Sequence, residues 1–151
     1  MSIRLLLVGP VPPPNGGMAL QTRQLYERLC EEGLQVTLCP VNPPYRPAWA
    51  GKLPGVRALF RLIPYLWRLR RELPCHDVVH LMANSGWAWH LFAAPVLWLA
   101  HRCGTPVIVN YRGGLADAFF AKSFKTVHKT LRHAARVIVP TGFLQDVFAR
   151  Y

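Results

Sequence analysis

Residues 3–38 read IRLLLVGPVPPPNGGMALQTRQLYERLCEEGLQVTL, and this stretch decides the fold. Ile3 to Val8 is, apart from Arg4, a continuous apolar run closed by Gly9 and Pro10, as expected of a strand buried on both faces. After a proline cluster, Met18 to Glu32 sets Met18, Thr22, Leu25 and Leu29 on successive turns and stops at Gly33, which predicts a helix with a glycine C-terminal cap. Gln35 to Cys39 is a second strand, ended by Pro40. The alternation then repeats outward. Strands are predicted near 77–82, 106–110 and 136–139, with helices over Trp87–Arg102, Asp117–Ala135 and from Phe143 onward. Strand and helix alternate at spacings that demand crossovers, so the chain is read as one α/β domain over residues 1–151, a doubly wound parallel sheet of Rossmann-like type.

Composition agrees. Of 151 residues, 52% are hydrophobic and 17% charged, enough to build a core and to exclude disorder, collagen and coiled coil. Eighteen Lys and Arg face seven Asp and Glu, a net charge of +11 that attracts phosphate-bearing partners. The longest apolar run, Leu91 to Ala100, is ten residues and contains Pro95, short of the ~18 expected of a spanning helix. The burst at Leu5–Val8 is too brief for a signal-peptide core, so a cytoplasmic chain is expected. Cys30, Cys39, Cys75 and Cys103 are scattered without a CxxC pair and are expected to be reduced thiols.

In such sheets ligands bind beyond the carboxyl ends of the strands, at the loops 9–18, 82–87, 110–117 and 140–143. The first loop is not a GxGxxG fingerprint, because prolines stand where free amides are needed. Gly16 and Gly17 nevertheless open a helix, where amides can approach a phosphate; the other reading is a tight turn that needs glycine. In Asn110-Tyr111-Arg112-Gly113-Gly114, Arg112 follows a buried strand, where its guanidinium can bind phosphate or carboxylate. Asp117 is read as an N-cap, and Thr141 as a cap that also lines the crevice. His80 either reaches the crevice or is a partly buried, hydrogen-bonded histidine. No HExxH motif or ligand trio predicts a metal, and no GxSxG motif surrounds Ser85.

The segment 54–73 places Val56, Leu59, Phe60, Ile63, Leu66 and Trp67 at helical spacing, with Arg57, Arg61, Arg68 and Arg71 as a second stripe and Pro64 bending the helix. The apolar side is expected to pack on the sheet, leaving the arginines outward as a solvated face or as a contact for anionic membrane. Lys122, Lys125, Lys129 and Arg132 add a basic stripe opposite Phe120, Phe124, Val127 and Leu131. Nucleic acid is not expected as a partner, since no helix-turn-helix, zinc finger or RNP-type strand is present.

The opening quoted above, together with DVVHLM, PVIVNYRGGLADAF and ARVIVPTGFLQDVFARY, resembles the N-terminal half of family 4 retaining glycosyltransferases of the GT-B type, over nearly the whole chain and in order. The resemblance implies two Rossmann-like domains with the active site between them. The N-terminal one holds the acceptor, and the C-terminal one most of a nucleotide-sugar, which is a co-substrate rather than a cofactor. It implies that Gly16 and Gly17 offer amides to the donor diphosphate and that Tyr111, Arg112 and Gly113 line the acceptor side. Arg112 and Met82 stand where many relatives have histidine, which suggests an anionic acceptor or a phosphate contact. The chain stops at Tyr151, so the donor-binding domain is expected to lie outside it, and this half alone to be a poor catalyst. The expected activity is hexose transfer to a cell-envelope or lipid-linked acceptor, on the inner face of the membrane. A non-catalytic basic module that binds anionic membrane or phosphate ligands is the alternative.

Overall fold

A computed structural model describes residues 2–151. Five strands, β1 (Arg4–Gly9), β2 (Gln35–Pro40), β3 (Val78–Ala83), β4 (Val107–Tyr111) and β5 (Arg136–Ile138), form one sheet in the order β2-β1-β3-β4-β5. Every pairing is parallel. The helices are α1 (Gly17–Glu31), α2 (Arg57–Glu72), α3 (Ala94–Cys103), α4 (Ala116–Leu131) and α5 (Gly142–Arg150).

Alternation along β1 sorts the two faces. Leu5 and Leu7 point to α1, where Met18, Leu25 and Leu29 cover them. Leu6 and Val8 point to the larger core, with Leu69, Val96, Leu97 and Phe120 from the other helices. Each fully buried leucine contributes about 1.5–3 kcal/mol relative to exposure. Gly33 and Gly104, at φ +82° and +74°, take the left-handed turn that ends α1 and α3. Arg4 ties β1 to the start of β3: its backbone N–H donates to Asp77 Oδ2 at 2.8 Å and its guanidinium to Oδ1 at 2.8 Å.

Three expectations change. The helix expected over 87–102 is split: a π-helical turn spans Trp89–Ala93 and α3 begins at Ala94, next to Pro95, which has no N–H to donate. α4 is capped by Leu115 without a side-chain bond, and Asp117 sits inside its first turn, 3.4 Å from Arg150. A carboxylate there still favours the helix through the dipole. β5 falls where a strand was expected near 136–139, and its three residues are all exposed. The largest change concerns α2. Its buried residues are Tyr65 and Leu69, flanked by half-buried Leu62 and Leu66, and the Tyr65 hydroxyl donates to the Phe92 carbonyl at 2.7 Å. Val56, Leu59, Ile63 and Trp67, expected on the sheet, face solvent instead. The helix continues through Pro64, which lies on the exposed side.

Candidate functional site

The strand order reverses between β1 and β3, so the loops that follow them part and leave a crevice at the carboxyl edge. Gly9 ends β1 where no side chain fits: a Cβ there would lie 2.9 Å from Met82 Cβ and 3.0 Å from Thr22 Oγ1. The proline loop beyond it is pinned by Asn42, from the loop after β2. The Asn42 carboxamide accepts from the Val11 N–H at 2.8 Å and donates to the carbonyls of Val11 at 2.7 Å and Pro13 at 3.2 Å. Three consecutive prolines cannot be held through their own N–H groups, so a side chain supplies the bonds.

Gly16 is the N-cap of α1, in extended backbone, and Gly17 is its first residue. Neither has a positive φ, and nothing lies within 4 Å of where a Cβ would stand on either. The tight-turn reading therefore does not account for them. No side chain caps the helix, so its first amides are left without a side-chain partner.

Arg112 is brought to the same corner. Its Nη1 donates to Gln21 Oε1 of α1 at 2.8 Å, and its Nε donates to Asn110 Oδ1 at 3.2 Å. Asn110 is 6% exposed, and its Nδ2 lies 3.3 Å from His80 Nε2. His80 pairs in register with Leu7 and Ile108, two residues short of the Met82–Asn110 pair. It therefore lies beneath the rim rather than on it and supports Asn110. Burial lowers its pKa, and the positive charge of Arg112 lowers it further, both favouring neutral imidazole. A neutral ring can accept at Nε2 from the carboxamide.

Tyr111 and Gly113 do not present themselves to a ligand as the resemblance implied. Tyr111 is fully buried among Trp89, Phe120 and Phe148, and its hydroxyl lies 2.8 Å from Ser85 Oγ. Alternation explains this: Tyr111 shares the face of Val109, while Asn110 points the other way. Gly113 is buried against the loop after β3 and cannot carry a side chain without meeting Ser85. Both residues fasten the loop that carries Arg112 to Ser85, in the loop after β3. Thr141 caps α5, its Oγ1 accepting from the Leu144 N–H at 3.3 Å. It follows the edge strand β5, two strands away from β3.

The arginines of α2 do not form one outward face. Arg61 and Arg68 line a cleft of about 550 Å³ with the proline loop and Asn42. The Arg61 guanidinium lies 4.2 Å from the centre of the Tyr45 ring, and Arg68 donates to the Leu38 carbonyl at 2.8 Å. Arg57 is exposed at the start of the helix, and Arg71 lies over Trp67. The stripe divides because the helix buries a different arc from the one expected. Gln21, Asn42, Ser85 and Asn110 were not singled out by the sequence. Only Asn110, a polar residue closing the apolar run PVIV, carried a local signal. Among the described residues, no group of three or more His, Cys, Asp or Glu converges as metal ligands would.

A family model described as "Glycosyl transferase 4-like domain" matches residues 16–151. No curated protein matches the chain. A solved structure of a 2-deoxyribosyltransferase from the psychrotolerant bacterium Bacillus psychrosaccharolyticus is 16% identical, with a TM-score of 0.43 over 72% of this chain and 74% of that one. That likeness is too slight to carry an argument.

Proposed function

The chain belongs to the glycosyl transferase 4-like family, and from that premise we propose that it is the acceptor-side half of a retaining GT-B transferase. In this reading it moves a hexose-type sugar from a nucleotide-sugar to a cell-envelope or lipid-linked acceptor. One observation carries the reading. The Arg112–Gln21 bond joins the arginine of the fourth loop to the helix that Gly16 and Gly17 open, so amides and guanidinium serve one corner of the crevice.

The chemistry suits diphosphate departure. As the bond between the sugar's anomeric carbon and the phosphate oxygen breaks, the electron pair stays with the diphosphate and negative charge grows there. Amides at a helix N-terminus stabilise that charge without reorganising, and a fixed guanidinium adds a second positive group. Asn110 and Gln21 hold Arg112 in its orientation before any ligand arrives. Groups positioned in advance lower the barrier more than mobile ones. The donor's nucleotide is assigned to a second Rossmann-like half, and the work to the cytoplasmic side of a membrane, where the chain sits peripherally.

Reconstitution with a donor-binding half tests the proposal, with transfer of labelled hexose to a lipid extract as the readout. Gly17→Val and Arg112→Ala are each expected to abolish turnover while the protein remains folded. Unchanged turnover in both variants would remove the site assignment.

A further inference from the structure

Leu59, Ile63 and Trp67 stand one turn apart on the solvent side of α2, and Ile63 and Trp67 are each 63% exposed. Beside them a groove of about 490 Å³ runs between α2 and α3, with Trp67 and Trp98 on its two sides. Each tryptophan carries an arginine over its ring: Arg71 lies 5.1 Å from the centre of Trp67, and Arg102 lies 4.7 Å from that of Trp98. Arg70 lines the groove itself. No acidic residue occurs in α2 before Glu72. The surface is thus apolar along its middle, aromatic at the groove and cationic around it.

We propose that this face lies in the interface of an anionic phospholipid bilayer, with Leu59, Ile63 and Trp67 immersed and Arg70, Arg71 and Arg102 at the phosphates. Charge decides among occupants. A second copy of this chain, facing itself across a two-fold axis, would bring like guanidinium groups together, which opposes association. Nucleic acid would satisfy the arginines but offers nothing to a line of exposed leucine, isoleucine and tryptophan. A bilayer surface meets both demands. Tryptophan partitions to the headgroup boundary, apolar residues below it leave water, and arginines draw in anionic lipid. The inference extends the membrane part of the reading above. Its readout is vesicle binding rather than transfer, so the two fail separately.

The attachment is apolar at its centre, so part of it should survive salt that screens the arginines. Flotation of the 151-residue chain with phosphatidylcholine vesicles containing phosphatidylglycerol, at low and at high salt, tests this. Wild type should still float at high salt. The triple variant Leu59→Gln, Ile63→Gln, Trp67→Gln should partition at least tenfold less at both salts. Glutamine is a good helix former and the three positions are exposed, so the fold should be kept, which circular dichroism checks. Arg70→Gln with Arg71→Gln and Arg102→Gln should weaken flotation at low salt only. As a second measurement, acyl-brominated lipid should quench tryptophan emission of wild type more than that of Trp67→Phe. Three results would overturn the proposal: flotation of the apolar triple variant within twofold of wild type, complete release of wild type by salt, or self-association of wild type without vesicles that the same variant abolishes.

Discussion

Two glycines of the crevice have opposite surroundings, and exchanging each for alanine separates a glycine that packs from one that leaves room. A methyl group on Gly113 would lie 2.9 Å from the Ser85 amide nitrogen and 2.9 Å from the Tyr111 hydroxyl, and would press on Ser85 Oγ. The loop after β3 must move to admit it. Overpacking of this kind costs about 1–3 kcal/mol, and parting Ser85 from Tyr111 forfeits about 1 kcal/mol more. The total of about 2–4 kcal/mol, at about 2–4 °C per kcal/mol for a chain of this size, lowers Tm by about 4–16 °C. Gly17→Ala meets nothing within 4 Å and keeps a helical conformation. It gains up to about 1 kcal/mol of helix propensity, so its Tm should hold or rise by a few degrees. The assay is thermal unfolding of the two variants side by side. Ser85→Ala in the Gly113→Ala background should recover only part of the loss, because the Ser85 amide remains in the way. A Gly17→Ala variant that melts as low as Gly113→Ala would refute the reasoning, since Gly17 would then be kept for packing and not for access to a ligand.

Other expectations follow from single side chains. His80 has a folded pKa below its ordinary 6.5, so its contribution to stability is complete above pH 6.5 and is lost as pH falls through the folded value; denaturant titrations at pH 7.5 and 5 should show the loss, and His80→Gln should flatten it. Asn110→Leu removes the acceptor of Arg112 Nε and the donor facing His80. Its effect on transfer should be read as a fall in kcat with the protein folded. Burial raises the Cys39 thiol to about 11, so iodoacetamide at pH 8 should modify Cys30, Cys75 and Cys103 in the native protein and Cys39 only after unfolding. Hydrogen bonds from Arg4 lower Asp77 to about 2, and carboxyl titration by NMR should find its midpoint rising in Arg4→Gln.

The sheet was legible because its strands are short apolar runs cut off by glycine and proline, and β1, β3 and β4 repeat that pattern. The caps Gly33, Gly104 and Thr141 were legible for the same local reason. α2 was not. It carries two apolar arcs, one through Ile63 and Trp67 and the other through Leu62, Tyr65 and Leu69, and periodicity alone cannot say which arc meets the sheet. The decision is tertiary: Tyr65 finds a carbonyl on the turn before α3, while Trp67 has no such partner. In the crevice, the glycines and Arg112 stood out by residue type. Gln21 and Asn42 act across 91 and 31 residues of chain, respectively, so no local pattern marks them.

The position of β1 between β2 and β3 also sets a timetable for synthesis. Leu5 pairs with Val36 on one side and with Val78 on the other, and Arg4 meets Asp77 across 73 residues of chain. At about 5–20 residues per second, the ribosome delivers the second partner about 4–15 s after the first strand has emerged. Throughout that interval one edge of an almost wholly aliphatic strand has no neighbour. The parallel crossover that builds the crevice thus makes the nascent β1 a client for whatever shields hydrophobic segments at the exit tunnel. Slowing translation between α1 and β3 should lengthen the window, and aggregation of the product should rise with it.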